Sequence, residues 1–320
     1  MGRNPFKMRT TLLYFILLLP VVAAAQFGSG SNRCVWKNEA MMMVTKQYLR
    51  NDTSSERLKI SMVKIAAARD TMSGGISVRN VRALNCSDCM QIRYDEQGRT
   101  EWIYNNVPDE NNRIIKTQFV YDDQHRVKYE IVSAKDLGNE YDTAYHMNYF
   151  VLYKYANQKQ IQELYLAEYG GLSDTPNWPA MITRNFQYNK QNQLITKTTK
   201  SLSGQYDSLV YKYSGDTVVL ITAFNKEKQM LYTEKKWYNN HMLLKSVYNS
   251  DYYKSSMELV YTYDAGRRCI GVHQTGGTPD GCSRSNAAQS KISYDKNGFP
   301  KFVHVSYTQS AALLFFYETR

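Results

Sequence analysis

The chain has 320 residues, with 40 Lys or Arg against 29 Asp or Glu and a formal charge of +11. The charges are interspersed, with no run of five or six of one sign, so the surface reads as mildly basic and solvated. That balance, with no nucleic-acid-binding motif, argues against a nucleic-acid partner.

Residues 1–25 carry the pattern of a secretory signal peptide. Arg3, Lys7 and Arg9 precede the apolar run "TLLYFILLLPVVAAA", and Ala23 and Ala25 fit a cleavage point before Gln26. The run is too short to span a bilayer comfortably, and no cysteine at the cleavage point offers a lipid anchor. Removing these 25 residues and their three basic charges leaves 295 residues at a formal charge of +8, with no further segment of transmembrane-helix length. The expected location is outside the cytoplasm: secreted, periplasmic or attached to the cell surface.

Residues 26–90 read as a leader and a capping region. "FGSGSN" is followed by "NEAMMMVTKQYLR" and "RLKISMVKIAAARD", two strands or two short helices that periodicity does not separate. They are expected to cap the first edge of a sheet. Cys34, Cys86 and Cys89 lie here, and Cys269 and Cys282 lie beyond. Export permits disulfides, and Cys269 with Cys282, flanking "IGVHQTGGTPDG", is the most natural pair. "CSDC" at 86–89 has neither the helix of a redox motif nor a second ligand pair for zinc, so a structural bridge is the better reading.

From residue 91 to 307 one unit recurs. "IRYDEQGRT" reappears around aromatic anchors at 94, 121, 155, 188, 213, 224, 238, 263 and 294. Aromatic residues at i−2 and i share one strand face. Asp95, Asp122, Asp264 and Asp295, or Asn in other copies, follow the anchors Tyr94, Tyr121, Tyr263 and Tyr294. Such a side chain accepts from a backbone N–H two residues on and starts a turn. Gly98, Gly266 and Gly298 supply the positive φ of a tight turn. Each copy is therefore a β-hairpin, and 27 tyrosines against seven prolines suit strands. "QIQELYLAEY" at 160–169 keeps strand spacing, and residues 308–320 form a last strand at the far edge. The fold expected is all-β: an antiparallel meander of repeated hairpins forming a long curved or twisted sheet.

Tyr94-Asp95-Glu96-Gln97-Gly98-Arg99 resembles the YD, or Rhs, repeat, as do the copies beginning at Tyr263 and Tyr294. The resemblance covers roughly 91–307. The middle copies depart from it, with Ala156 and Ser214 in place of the acid. It implies an exported hairpin array with a scaffold or binding role and supplies no catalytic residues.

No P-loop, dinucleotide fingerprint, H-E-x-x-H or G-x-S-x-G is present, and no two of the five histidines lie within four residues of each other. No catalytic residue, metal ligand or cofactor is assigned. The repeated aspartates sit beside aromatics, as in glycosidase sites, but Asn replaces them in three copies, which suits turn capping rather than acid catalysis. Binding residues are sought where the repeat is broken: Asn177 and Trp178 in "SDTPNWPA", Asp280 in "TGGTPDG", and Trp102 and Trp237 on the strands. The function expected is non-catalytic binding or scaffolding toward an extracellular glycan or protein. Two alternatives stand: a secreted glycan hydrolase with dispersed carboxylates, and an outer-membrane β-barrel.

Overall fold

Alternating aromatic and β-branched residues, broken by Asp-, Asn- and Gly-rich turns, give a chain made of strands. The computed structural model describes residues 60–69, 89–105, 113–138, 144–167, 179–277, 287–306 and 311–319. In chain order these hold β1 (Ile60–Arg69), β2 (Cys89–Tyr94), β3 (Thr100–Asn105), β4 (Arg113–Tyr121), β5 (Val127–Asp136), β6 (His146–Ala156), β7 (Lys159–Ala167), β8 (Ile182–Tyr188) and β9 (Leu194–Ser201). They continue with β10 (Tyr206–Ser214), β11 (Val218–Asn225), β12 (Met230–Asn239), β13 (Met242–Ser250), β14 (Ser255–Tyr263), β15 (Cys269–Gly276), β16 (Ala287–Tyr294), β17 (Pro300–Ser306) and β18 (Ala311–Thr319).

Each strand pairs antiparallel with its neighbours in sequence, and β1 also pairs with β18, setting Val63 opposite Tyr317. The result is a closed barrel of 18 strands. The expected long curved or twisted sheet is corrected on this point. The hairpin meander is present, but its two ends meet, and the stretch read as an edge cap becomes a wall strand. Closure has a plain physical cause: it pairs the two rows of N–H and C=O groups that a long open sheet would expose.

Because every neighbour is antiparallel, the turns after even-numbered strands lie at one end of the barrel. These are the repeat turns. In the first, Asp95 N donates to Arg99 O and Gly98 N donates to Asp95 O, both at 2.9 Å. Asp95 Oδ1 accepts from Gln97 N at 3.0 Å and Arg99 N at 2.9 Å. The residue before the turn closes is left-handed: Gly98 (φ 73), His125 (φ 59), Asn192 (φ 66), Gly298 (φ 83). In the copy at Tyr263 that residue is Arg267 (φ 62), not Gly266, so the glycine of that copy is one position out. Phe224 leads into a similar turn, with Lys228 N donating to Asn225 O at 3.1 Å. It follows β11, an odd-numbered strand, and so sits at the opposite end.

At the repeat-turn end seven hairpins carry a β-bulge just after the turn, and the Phe224 hairpin at the opposite end carries one at Leu231. Thr100 faces Tyr94 while Trp102 faces Arg93, which leaves Glu101 as the extra residue. Lys128, Ile161, Ile195, Leu244, Ile270 and Lys301 are extra in the same way. A bulge interrupts the ladder beside it. At every one of the seven, the carbonyl preceding the extra residue accepts a tyrosine hydroxyl from a following strand. Tyr121 donates to Thr100 O (2.8 Å), Tyr155 to Val127 O (2.7 Å), Tyr188 to Gln160 O (3.0 Å) and Tyr213 to Leu194 O (2.8 Å). Tyr263 donates to Leu243 O (2.8 Å), Tyr294 to Cys269 O (2.7 Å) and Tyr317 to Pro300 O. The turn arginine completes the joint. Arg99 Nε is 2.6 Å from Asp95 Oδ2, and its guanidinium lies 4.5 Å from the Tyr121 ring centre. Arg126 over Tyr155 (4.5 Å), Lys159 over Tyr188 (5.4 Å) and Arg268 over Tyr294 (5.0 Å) repeat the contact.

Register divides the wall into two faces. Val63, Ile65, Ile92, Ile103, Leu259, Val272, Ile292 and Val303 lie on one face and form the main buried cluster. Wall residues can shield one another in this way on the concave side of a ring, so this face is interior. The other face is polar on most strands. It exposes Arg93, Gln118, Lys154, Gln187, Lys212, Lys235, His273 and Lys291. An exception lies on β5–β7, where Tyr129, Phe150, Leu152 and Leu166 are buried on the outer face with Ala180 packed against them.

The tyrosine joint predicts a stability pattern. Tyr155→Phe should cost about 1–3 kcal/mol, since it removes a hydrogen bond and strands the Val127 carbonyl. Tyr252→Phe, at a residue 51% exposed, should cost within about 0.5 kcal/mol. Urea unfolding midpoints measure both, and equal losses would refute the joint.

Candidate functional site on the inner wall

The residues singled out from sequence fall into three groups. The repeat aspartates are occupied in turns: Asp122 Oδ1 accepts from Gln124 N and Arg126 N, both at 2.9 Å, and Asp122 Oδ2 from Arg126 Nε at 2.7 Å. Asp264 holds Arg268 in the same way, and Asp295 Oδ1 accepts from Asn297 N at 2.9 Å and Phe299 N at 2.8 Å. Trp102 and Trp237 are on the outer face, and lysines lie over both rings. Lys116 is 5.7 Å from Trp102, and Lys235 and Lys245 are 5.0 and 5.7 Å from Trp237. Asn177, Trp178, Asp280, Cys34, Cys86 and Cys282 lie outside the described residues, as does the side chain of Cys89. The disulfide expectation is corrected as far as the structure reaches. Among the described residues no disulfide is formed. Cys269 is buried on the inner face, with Sγ donating to Gly271 O at 3.4 Å, as a thiol does.

What the structure brings together was not singled out. Glu130 on β5, Glu163 on β7, Arg184 on β8 and Lys197 on β9 share the inner face with Tyr149, Tyr153 and Tyr165. The register makes this so: Glu130 faces Val151, Val151 faces Tyr165, Glu163 faces Arg184, and Phe186 faces Lys197. Arg184 and Lys197 are thus diagonal neighbours on adjacent strands, close enough for long side chains to meet. A usable signal exists in the sequence: Arg184 stands four residues before the anchor Tyr188, hence on the anchor's face. The parity of Glu163 and Lys197 is hidden, because the bulges at Ile161 and Ile195 reverse the alternation after each turn.

The four charges are differently satisfied. Glu163 is 1% exposed and fully engaged. Its Oε1 accepts from Gln160 Nε2 at 2.6 Å, and its Oε2 accepts from Tyr165 Oη at 3.2 Å and Arg184 Nη1 at 3.1 Å. Arg184 also donates to Tyr165 Oη and lies 4.8 Å from that ring's centre, yet its Nε has no partner. Glu130 is 4% exposed, and its Oε1 is likewise unpartnered. Burial pushes the Glu130 carboxyl up to about 8. The Glu163 charge adds to the rise, while the Tyr153 hydroxyl and Arg184 oppose it. Lys197 is 7% exposed, 5.9 Å from the Phe186 ring centre, with no acceptor among the described residues. Burial pushes its ammonium down to about 8, helped by Arg184 and opposed by Glu163.

Chemically, this wall holds one closed ion pair, one neutral acid and one cation without a counter-ion. Unmet buried donors and acceptors are expensive, and native structures keep few of them. Among the described residues no group of three or more His, Cys, Asp or Glu is placed to hold a metal ion. The same residues include no helix long and apolar enough to cross a membrane, which says nothing about crossing with strands.

No protein-family model matches this sequence, and no curated protein matches it. Among solved structures, the chain is similar to a porin-like protein from Bacteroides uniformis at 8% identity, covering 81% of this chain and 98% of that one with a TM-score of 0.42. A porin-like protein from Bacteroides vulgatus is similar at 10% identity, with the same coverages and a TM-score of 0.34. The resemblance to the YD repeat is therefore corrected. The motif is real as a turn, but it builds the hairpins of one closed 18-strand ring, and no family model supports the repeat assignment.

The buried acid and base set a pH signature. The folded chain keeps a proton on Glu130 from its ordinary range near 4.5 up to about 8, where the unfolded chain gives it up. Its stabilising contribution is thus complete below about pH 4.5 and is lost as pH rises toward 8. Lys197 runs the other way: between about 8 and 10.5 the unfolded chain holds the extra proton, so its cost fades as pH rises. Together they predict a dip in stability near pH 8. In Glu130→Gln the decline between pH 5 and 8 should flatten in urea unfolding. An unchanged decline would refute the buried neutral acid.

Proposed function

We propose that this chain is an exported, non-catalytic β-barrel of the cell envelope. Of the readings left open by the sequence, the barrel is better supported than a sheet scaffold, because the first and last described strands pair. An even number of antiparallel strands and short turns at one end also match the architecture of outer-membrane barrels. Among the described residues no catalytic constellation speaks for the hydrolase alternative. The repeat carboxylates are committed to turns, and Glu163 is enclosed by its partners.

The outer face carries the further reading that the wall stands in water. Lys235, Lys245, Glu258, His273 and Lys291 fall at or near the middle of β12 to β16 and point outward. Lys245 and Glu258 pair at 2.9 Å with side chains 39% and 40% exposed, as on a solvated surface. A lysine or arginine facing lipid at mid-depth costs roughly 2–4 kcal/mol. Several of them would absorb much of a typical stability of about 5–15 kcal/mol. Most buried apolar side chains lie inside, the β5–β7 cluster being the outer exception. That inverts the pattern of a water-filled pore in lipid, so the wall reads as a barrel with its core in the lumen.

The discriminating experiment is fractionation of the full-length chain, expressed with its leader in a bacterium that has an outer membrane. The expected result is release by osmotic shock or mild salt and a monodisperse protein without detergent. Retention in the outer membrane after alkaline extraction, with a detergent requirement, would overturn the aqueous reading and leave a membrane-spanning barrel.

A further inference from the structure

We propose that the inner wall between β8 and β9 is a binding site for a small monoanionic carboxylate, held by the Arg184 guanidinium and the Lys197 ammonium. Arg184 has one face on Glu163 and Tyr165, and its Nε–H is left without an acceptor. Lys197, diagonal to it across the β8–β9 ladder, has the Phe186 ring against it. Among the described residues the acid that acts on both cations is Glu163, which is already bound to Arg184, Tyr165 and Gln160. A guanidinium edge and an ammonium are a standard arrangement for one oxyanion.

The charge count selects the valence. Arg184 and Lys197 contribute two positive charges and Glu163 one negative, while Glu130 is held neutral by burial. One negative charge completes the set, so a monoanionic carboxylate fits better than a dianion such as sulfate. The surroundings add a second constraint. Phe186 and Leu194 are buried beside the site with Tyr188 and Tyr211 packed on them, offering an apolar and aromatic wall for the body of the ligand. The Arg184 side chain is 13% exposed, so the site is not sealed from solvent. The unpartnered Glu130 Oε1 lies on the same face two strands before Glu163. Glu163 stands between Glu130 and the two cations, so the ligand body is placed on the Phe186, Tyr188 and Tyr211 wall, and the ring face of a sugar acid suits such a wall.

The test is a thermal-shift and calorimetric titration of the purified full chain at pH 6.5 with acetate, glucuronate, sulfate, chloride and neutral glucose. A saturable rise in melting temperature is expected with acetate and a larger one with glucuronate. Chloride and glucose should give none, and sulfate, a dianion at this pH, should bind at least tenfold more weakly than acetate. Lys197→Met should weaken carboxylate binding at least tenfold, Lys197→Arg should retain it, and Glu258→Gln on the outer face should leave it unchanged. The proposal is overturned if no carboxylate binds, if sulfate binds within tenfold of acetate, if chloride reproduces the shift, or if Lys197→Met binds normally. None of these outcomes depends on whether the barrel fractionates with water or lipid, since the titration runs in either medium.

Discussion

The joint between a tyrosine hydroxyl and a bulge carbonyl holds this barrel in register. A tight turn with a left-handed residue makes a hairpin, and the extra residue that follows gives the wall its local twist. That bulge leaves a carbonyl beside a break in the ladder. A following hairpin supplies the missing donor from its aromatic anchor, at 2.7–3.0 Å in the six joints from Tyr121 to Tyr294. The turn arginine, tied to its own aspartate, stacks on that same ring at three of the hairpins. One short motif thus performs three tasks: it reverses the chain, fixes the bulge and docks the next hairpin. Only the final joint, Tyr317 to Pro300, leaves the repeat and leads into the strand that closes the ring.

The two faces follow from this arrangement and separate packing from function. The anchors at the repeat-turn end and their i−2 neighbours point inward, so many of the aromatic and branched residues that make strands also fill the interior. The outward positions are mostly polar, with Trp102, Trp237, Phe224 and the β5–β7 cluster as apolar exceptions. On β5 to β9 the interior is not uniformly apolar, and Glu130, Glu163, Arg184 and Lys197 stand there with two polar groups unmet. Buried charge contributes little to stability unless it is fully paired. Its persistence on one arc of the wall marks that arc for binding, whereas the arc formed by β14 to β18 and β1 to β3 is largely apolar packing.

Much of the local structure was legible in the sequence because each hairpin is decided within about ten residues. The Tyr-Asp pairs, the capping Asn variants at 189 and 225 and the strand at 159–167 all rest on short-range chemistry. Closure was not legible. It depends on β1 meeting β18 about 250 residues away, and nothing in either strand's composition tells an edge from a seam. The same limit explains the family resemblance: a turn motif reports how the chain reverses, not how many reversals close a ring. The shift from Gly266 to Arg267 shows that an arginine tolerates the left-handed position when its neighbour, Arg268, is locked to Asp264. The charged arc was hidden by bulges, which reverse the strand alternation at sites that a period-two reading does not mark.

The account turns on the ring being closed. Met62 and Glu318 are register partners across the β1–β18 seam. A chain carrying Met62→Cys and Glu318→Cys, oxidised and digested, should yield the linked 62–318 peptide pair from monomeric protein in high yield. Recovery of that link only from dimers, or its absence while a control pair within a hairpin cross-links, would show that the two end strands do not meet and would contradict the barrel.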